Sequence, residues 1–192
     1  MKLLLHTCCA PCSIYCIKTL REKNIEPTVY WYNPNIHPYT EYIARKKALE
    51  IYTKSININA IYEDYYGLRE FTKNVINNLE NRCSYCYKTR LEKTVQYAKE
   101  NGYNSFSTTL LISPYQNHEK LKNICKELEQ EYAIEFIYRD FRTGFREGQT
   151  KARQLELYMQ KYCGCIFSEE ERFLSHTKDN LTATKTSSDN NK

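Results

Sequence analysis

The sequence predicts a single α/β domain in which helices flank a parallel sheet of about five strands. Short apolar or β-branched runs alternate along the chain with longer amphipathic segments, the pattern typical of strand–helix–strand crossovers. The chain has 192 residues, enough for one hydrophobic core but short for two. Residues 176–192 are mostly Thr, Ser, Asn, Asp and Lys, a composition that cannot repay the entropy of folding. We therefore expect one domain over residues 1–175 and a disordered polar tail over residues 176–192.

The first half of the chain is predicted to supply three strands and three helices. Leu3–Leu5 is apolar and too short to cross a membrane, which suits a buried parallel strand. Pro11 then stands where the first turn of a helix accepts a residue without an N–H group. In order, the predicted elements are a strand at residues 3–5, a helix at 12–23, a strand at 28–32, a helix at 39–54, a strand at 56–62, and a helix that follows residue 67 and ends near residue 79.

The second half is predicted to add two helices and two strands. Gly102 is a stop signal for a long helix, and Asn117 opens the next helix, whose apolar residues recur at helical spacing. In order, the predicted elements are a helix from about residue 83 to residue 101, a strand at 105–111, a helix that begins near 117, and a strand at 134–138. The alternation of strands and helices favours right-handed crossovers between parallel strands.

The composition indicates where in the cell the protein acts and which chemistry its cysteines favour. No apolar stretch approaches the roughly 20 residues of a transmembrane helix, and no secretory signal is recognisable. We therefore expect a cytoplasmic protein that does not contact the membrane. Nine cysteines, an odd number, in a reducing compartment argue for metal or redox chemistry rather than a disulfide framework. The net charge of +5 gives slight support to a polyanionic partner.

The first group of thiols lies in the motif His-Thr-Cys-Cys-Ala-Pro-Cys at residues 6–12, between the first strand and the first helix. Ligands of open α/β sheets bind at the carboxyl ends of the strands, and a helix N-terminus favours thiolate over thiol. Cys8 and Cys9 are thus placed for chemistry. Cys12 is compatible with binding a second metal, forming a mixed disulfide or packing.

The second group is Cys83-Ser-Tyr-Cys86, whose spacing puts both sulfurs on one face of a first helical turn. Neighbouring cysteines such as Cys8 and Cys9 do not easily turn onto one tetrahedral zinc, whereas a cubane offers each sulfur its own iron. Cys8, Cys9, Cys83 and Cys86 would complete the shell of a [4Fe-4S] cluster. Structural zinc and metal-free thiols are the two alternatives.

The third group, Cys163-Gly164-Cys165, is spaced too closely for two ligands on a single metal. Gly164 would let a small, strained disulfide ring close, and strained disulfides are the redox-active ones. We therefore predict a redox-active pair. Cys16 and Cys125 are expected to pack in the core.

Two polar side chains near strand ends are further candidates. His6 precedes the first thiols and either donates a hydrogen bond to a cluster or substrate, or is a satisfied strand-end histidine. Asp64 follows the third predicted strand and either ligates a hard metal or caps the next helix.

The segment from Arg139 to Arg153 is basic and contains two aromatic residues, Phe141 and Phe145. Interleaved cations and aromatic rings suit phosphate contact together with base stacking. The alternative is a solvated helix face with two core aromatics.

Taken together, the motifs resemble the epoxyqueuosine reductase QueH family over residues 2 to 170. The matching segments are His6–Cys12, Tyr32–Ile36, Cys83 and Cys86 with Arg90–Glu92, Thr108–Leu110 with Ile112–Pro114, and Tyr162–Cys165. The resemblance implies a fold similar to the HUP or adenine nucleotide alpha hydrolase-like group. It also implies an oxidoreductase that removes the epoxide oxygen of epoxyqueuosine at the wobble position of a tRNA anticodon, leaving queuosine.

The resemblance also implies roles for the thiols. Cys8, Cys9, Cys83 and Cys86 would ligate a [4Fe-4S] cluster, Cys163 and Cys165 would form the redox pair, and an additional iron would lie beside the cluster. Our own hypothesis is that Cys12 or Asp64 holds this iron. An electron donor is required, and the sequence does not identify it.

This chain departs from the family pattern in two ways. Met159 stands in place of an expected Arg, and the thiols of Cys16 and Cys125 are peculiar to this chain. The Ser-Gly-Gly phosphate loop of ATP-using relatives of the fold is missing after the first strand, which indicates that ATP takes no part. Two rival functions are a zinc-bound, non-catalytic RNA-binding module and a tRNA thiolation enzyme.

Overall fold

Five short strands form one parallel sheet at the centre of the structure, a computed structural model that describes residues 1–174. The strands are β1 (Leu3–His6), β2 (Thr28–Trp31), β3 (Ala60–Tyr62), β4 (Ser105–Thr108) and β5 (Glu135–Phe136). Every pairing is parallel, and the spatial order is β3-β2-β1-β4-β5. The predicted fold class is confirmed. The predicted tail, residues 176–192, lies outside the described residues.

Helices connect and cover the strands. They are α1 (Ala10–Arg21), α2 (Tyr39–Ser55), α3 (Leu68–Val75), α4 (Arg82–Glu100), α5 (His118–Tyr132) and α6 (Phe145–Gln154), and residues 166–174 are also helical. Pro11 lies in the first turn of α1, as predicted. Asn117 caps α5 by accepting a hydrogen bond from the Lys120 N–H at 3.0 Å. Within residues 1–174, no helix combines the length and the apolar character that crossing a membrane requires.

Some element boundaries differ from the predicted ones because local hydrogen bonds end the element. The strand predicted at 56–62 begins only at Ala60, since Ile56 and Ile58 donate their N–H groups back to α2 carbonyls. The strand predicted at 105–111 ends at Thr108, whose hydroxyl accepts the Leu110 N–H at 3.1 Å and starts a 3-10 turn. The helix predicted to reach residue 79 ends at Val75.

The sheet order creates a switch point next to β1. This strand pairs with β2 on one side and β4 on the other, and all four of its residues are buried. The connections from β1 and β4 leave the sheet in opposite senses, and ligands of doubly wound sheets bind in the crevice that this leaves at the carboxyl ends. The segment after β1 carries Cys8 and Cys9, and the segment after β4 carries Thr109. The fold thus places the first thiols at the expected crevice.

Candidate functional site

Three cysteines form a buried sulfur cluster between the end of β1 and the first turn of α1. The sulfurs of Cys8, Cys9 and Cys12 all lie within 4.8 Å of one another, and those of Cys8 and Cys9 are 3.8 Å apart. Within residues 1–174, this is the one group of three or more His, Cys, Asp or Glu side chains that converges closely enough for a single metal ion. The backbone N–H of Cys8 donates to the Thr109 hydroxyl at 3.3 Å, which ties the cluster to the segment after β4.

The three thiols differ in their affinity for a proton. Hydrogen bonds with Cys12 and Cys9 lower the pKa of Cys8 well below its usual range. Burial raises the pKa of Cys9, and the hydrogen bond with Cys8 raises that of Cys12. The cluster therefore favours a thiolate at Cys8 that accepts hydrogen bonds from the thiols of Cys9 and Cys12. A bound cation would stabilise the remaining deprotonated forms, because thiolates are the metal-binding species.

Gln160 contacts this cluster from a distant part of the chain. Its Nε2 lies 3.0 Å from the Cys9 sulfur and 3.7 Å from the Cys12 sulfur. Sequence reasoning missed this residue, because a glutamine 151 positions from its partner leaves no local signal. The neighbouring Met159, where an Arg was expected, packs against the hydrophobic core.

The other four candidate cysteines, Cys83, Cys86, Cys163 and Cys165, lie near one another. Cys83 and Cys86 are in the first turn of α4, where Cys83 is exposed and Cys86 is buried. Cys86 and Cys165 share a small apolar cluster with Phe71, and burial raises the pKa of Cys86 to about 12. The thiols of Cys83 and Cys86 lie within electrostatic range of those of Cys163 and Cys165. The structure therefore brings the second and third groups together.

A buried arginine joins the two sets of thiols. Arg90 is 2% exposed, and its guanidinium donates to the Cys86 sulfur at 3.1 Å and to the Cys86 carbonyl at 3.0 Å. Cys8 and Cys163 also lie within electrostatic range of this guanidinium. None of the ion pairs found in residues 1–174 involves Arg90. A buried cation without a carboxylate needs another anion, and thiolates or an anionic metal–thiolate group would supply it.

A second buried arginine holds the segment that carries Cys163. Arg45 is 2% exposed and donates to the carbonyl oxygens of Tyr162 and Cys163, each at 2.9 Å. Its Nε also donates to the Glu41 carboxylate at 2.6 Å, so the charge is paired. Because its hydrogen bonds to this loop go to main-chain oxygens, Arg45 fixes the path of the loop whatever the state of the sulfurs.

Gly164 adopts a backbone conformation that other residues rarely adopt. Its φ is +148°, and a Cβ at this position would lie 3.3 Å from Nη1 of Arg45 and 3.4 Å from Cγ1 of Ile36. The His37 N–H also donates to the Gly164 carbonyl at 2.7 Å. All nine cysteines are free, and Cys163 is exposed whereas Cys165 is buried.

Replacing Gly164 with valine is expected to reduce turnover while leaving both neighbouring thiols intact. A valine held at the positive φ of this position would destabilise the loop by about 1–3 kcal/mol. Its side-chain atoms would also crowd Arg45 and Ile36. Both thiols should still titrate in the denatured protein, which a thiol-counting reagent measures. Gly102→Val is the matched control, because Gly102 also has a positive φ, +67°, but has no atom near its would-be Cβ. Equal turnover losses in the two variants would show that the close packing around Gly164 does not matter.

The cavity at the switch point connects the first and third groups of thiols. It has a volume of about 390 Å³, and its walls include Cys8, Cys12 and Cys163. Gln116 Nε2 lies 3.2 Å from the Cys163 sulfur at the same wall. Cys9, Cys86 and Cys165 are buried and do not line this cavity. A substrate in this cavity would thus meet thiols from two distant parts of the chain.

Asp64 lies away from this cavity, beside the edge strand β3. Its carboxylate accepts hydrogen bonds from the Tyr42 hydroxyl at 2.7 Å and from the Lys46 ammonium at 2.6 Å. It does not cap α3, whose N-cap residue is Gly67. The role of Asp64 as a metal ligand stays a prediction.

His6 is a buried strand residue with a neutral ring. Its Nδ1 lies 2.9 Å from the Thr108 hydroxyl, across the β1–β4 pairing. Burial lowers the pKa of the imidazole to about 3, so the ring is uncharged at neutral pH. The ring is only half satisfied, because its Nε2 is buried and has no hydrogen-bond partner among the described residues. A role of His6 as a hydrogen-bond donor to a cluster or substrate stays a prediction.

The basic segment forms the surface of α6 and the turn before it. Phe141 is 1% exposed and belongs to the core, whereas Phe145 is half-buried and contacts the ring of Tyr115. Arg142 pairs with Asp140 at 2.8 Å, and Arg146 is exposed. One of the two aromatics is therefore a core residue, and the other faces the cavity.

We expect the stability of the loop that carries Cys163 to depend on pH through His37. Its Nε2 lies 3.0 Å from the Pro34 carbonyl, and its Nδ1 accepts the Ile166 N–H at 3.3 Å. Burial lowers the pKa of His37 to about 4. Protonation would place a hydrogen on Nδ1 and break the bond to Ile166. Between pH 6.5 and about 4 the unfolded chain binds more protons at this residue, so the free energy of unfolding falls as the pH falls.

We expect this loss to reach at most about 1.4 kcal/mol per pH unit. Urea unfolding of the wild type and of His37→Gln at pH 7 and pH 5 measures it. The stability advantage of the wild type should shrink on acidification, since the variant lacks this titration but keeps every other. An advantage that is the same at both pH values would contradict the prediction.

Known proteins resemble this chain over most of its length. Residues 3–171 match the model of the family described as epoxyqueuosine reductase QueH. An epoxyqueuosine reductase QueH from Dehalococcoides mccartyi is 41% identical over 172 residues, which are 90% of this chain and 94% of that protein. One from Thermotoga maritima is 35% identical over 184 residues, 91% of this chain and 94% of that protein. By this family match and these identities, the chain belongs to the epoxyqueuosine reductase QueH family.

Proposed function

We propose that this protein is an epoxyqueuosine reductase, which reduces the epoxide of epoxyqueuosine at the wobble position of a tRNA anticodon to the cyclopentene of queuosine. The observation that carries the proposal is the cavity of about 390 Å³ at the carboxyl ends of β1 and β4, into which Cys8, Cys12 and Cys163 converge. Membership of the family supports the identity of the substrate. The thiols that line one cavity support a reductive reaction there.

We further propose that Cys8, Cys9, Cys83 and Cys86 hold a [4Fe-4S] cluster. Each sulfur of such a shell binds a different iron, so the four sulfurs need not meet at one point. The buried guanidinium of Arg90 donates to the Cys86 sulfur and lies within electrostatic range of Cys8. It forms no ion pair with a carboxylate of residues 1–174, so it would compensate the negative charge of an iron–thiolate group. When bound, a cluster of this kind supplies single-electron transfer, and an exposed iron acts as a Lewis acid.

A second iron is proposed at Cys12, whose sulfur lies within 4.8 Å of those of Cys8 and Cys9. Asp64 is the weaker candidate, because both of its carboxylate oxygens already bond to Tyr42 and Lys46. Cys12 in addition lines the cavity, so a metal bound there would face the substrate.

The Cys163 and Cys165 pair is proposed to supply the reducing equivalents. Removal of the epoxide oxygen as water consumes two electrons and two protons, and two thiols provide both when they become a disulfide. Cys163 is exposed and lines the cavity, whereas Cys165 is buried. Cys163 would therefore be the thiol of the pair that meets a substrate in the cavity. An external reductant must then return the disulfide to two thiols, because the next turnover needs both protons and electrons again.

Arg45 and Gln116 would position Cys163 for this step. Arg45 holds the Cys163 carbonyl, and Gln116 donates toward the Cys163 sulfur. These contacts keep the sulfur at the cavity wall.

Two measurements test the proposed function. The purified protein is incubated anaerobically with epoxyqueuosine-containing tRNA and a chemical reductant, and the nucleosides are analysed by mass spectrometry for the loss of one oxygen. Iron, sulfide and zinc are measured in the same preparation. A colourless zinc protein that leaves the epoxide intact would overturn the proposal, and incorporation of labelled sulfur into tRNA would identify a thiolation enzyme instead.

A further inference from the structure

We propose that Tyr115 is a stacking platform for a nucleobase at the mouth of the thiol cavity, where it holds a base next to the reacting nucleoside. The inference rests on the proposed function for the identity of the RNA. It assigns a residue that binds the substrate RNA, whereas the proposed function concerns only the thiols and the residues that position them.

The exposure of Tyr115 is the first observation. The residue is 85% exposed, more than any other large hydrophobic side chain in the described part of the chain. It nevertheless lines the same cavity as Cys8, Cys12 and Cys163. A scattered aromatic residue on a surface needs no explanation, but a bare ring at the entrance of a candidate active site is a ready contact for a flat partner.

The ring is also held in place. It meets the ring of Phe145 edge to face, with centroids 5.9 Å apart and an interplanar angle of 79°. The Tyr115 N–H donates to the Ser113 hydroxyl at 3.3 Å. The next residue, Gln116, bonds to the Tyr87 hydroxyl at 2.6 Å and to the Cys163 sulfur. The backbone at Tyr115 is thus held by hydrogen bonds and its ring is supported by Phe145, which reduces the conformational entropy lost when a base stacks on the ring.

The surroundings favour a nucleic acid over other flat ligands. Lys161 lines the cavity and is exposed, and the exposed Arg146 follows Phe145 in α6. Aromatic rings that alternate with cations bind single-stranded RNA by stacking on bases while the cations contact phosphates. An anticodon loop presents unpaired bases, so the base beside the wobble nucleoside can stack on Tyr115 while the nucleoside itself enters the cavity.

The test uses a synthetic anticodon stem-loop RNA with guanosine at the wobble position and 2-aminopurine as the next base. Stacking on an aromatic ring quenches the fluorescence of 2-aminopurine. The holoprotein should quench it on binding, and Tyr115→Phe should keep the quenching. Tyr115→Leu should lose the quenching and bind the RNA roughly 5- to 150-fold more weakly. Tyr39→Leu is the matched control, because Tyr39 is 56% exposed but does not line the cavity.

The dependence of binding on salt separates stacking from charge. Tyr115→Leu should leave the slope of log affinity against log salt unchanged, whereas Lys161→Gln should reduce it by roughly one. In turnover, Tyr115→Leu should raise KM for the tRNA and leave kcat close to the wild-type value, with unchanged iron content. Such a split is typical of lost substrate binding, and a merely structural role would not produce it.

Several outcomes would overturn the inference. These are wild-type quenching and affinity in Tyr115→Leu, an equal loss in Tyr115→Phe, which would indicate a role of the hydroxyl, or an equal loss in Tyr39→Leu. The binding measurement does not require turnover, so the two proposals fail separately. Tyr115-dependent binding without epoxide reduction would refute the proposed function alone. Epoxide reduction with an unchanged KM for the tRNA in Tyr115→Leu would refute the inference alone.

Discussion

Serine at Cys83 or at Cys86 is expected to strip iron from the protein and to reduce epoxide reduction to the background rate. A hydroxyl is a poor ligand for iron in a sulfide cluster, and the loss of one of four ligands opens the shell. The loss of activity should exceed the roughly 10- to 100-fold that follows removal of an outer-shell partner of a metal site. Iron and sulfide analysis, the visible absorbance and the mass-spectrometric turnover assay measure the result.

The position of Cys83 makes this experiment informative. Its side chain is exposed, so the substitution removes a sulfur without leaving a cavity in the core. Cys125→Ser is the matched control, because Cys125 is fully buried in α5 and is not a proposed ligand. The control should lose stability and keep its iron. Full iron content in both Cys83→Ser and Cys86→Ser would show that the proposed shell is wrong.

Serine at Cys163 or at Cys165 is expected to abolish turnover while iron, sulfide and fold are retained. A single remaining thiol cannot close the ring, so it cannot deliver a second electron. The measurements are metal content, visible absorbance and turnover with a chemical reductant in excess. Arg45 binds the main chain of this loop, so the loop should keep its path in both variants.

The same experiment tests which thiols belong to the cluster. Cys163 and Cys165 lie within electrostatic range of Cys83 and Cys86. The experiment therefore distinguishes thiols that ligate the cluster from thiols that form the redox pair. Loss of the visible absorbance in Cys163→Ser or Cys165→Ser would make these residues ligands. One of Cys8, Cys9, Cys83 or Cys86 would then have to leave the proposed shell. Retained absorbance with lost turnover would support the redox role.

Local sequence patterns were sufficient for the elements and the fold class. The strands of a fully covered parallel sheet are short apolar runs, and the helices carry an apolar stripe, so both leave a periodic signal in the chain. Pro11 and Asn117 marked helix starts correctly because capping chemistry is local. Boundaries were less predictable, as at β4, because a single hydroxyl of Thr108 turned the chain into a 3-10 turn.

The motif positions also determined that thiols gather at one edge of the sheet. Cys8 and Cys9 follow a strand, and ligand sites of parallel sheets lie at the carboxyl ends of the strands. The three-residue spacing of Cys83 and Cys86 likewise predicted that both lie on one face of a helix. These inferences need only the geometry of one element at a time.

Only the tertiary structure decided which side chains from different elements meet. The arrangement of Cys12 beside Cys8 and Cys9, of Gln160 against Cys9, and of Arg90 against Cys86 depends on strand order and helix packing. It also placed Asp64 beside Lys46 rather than in the cavity. The physical reason is that periodicity records burial along one element, whereas contacts between elements are fixed by the packing of the whole core, which no local pattern encodes.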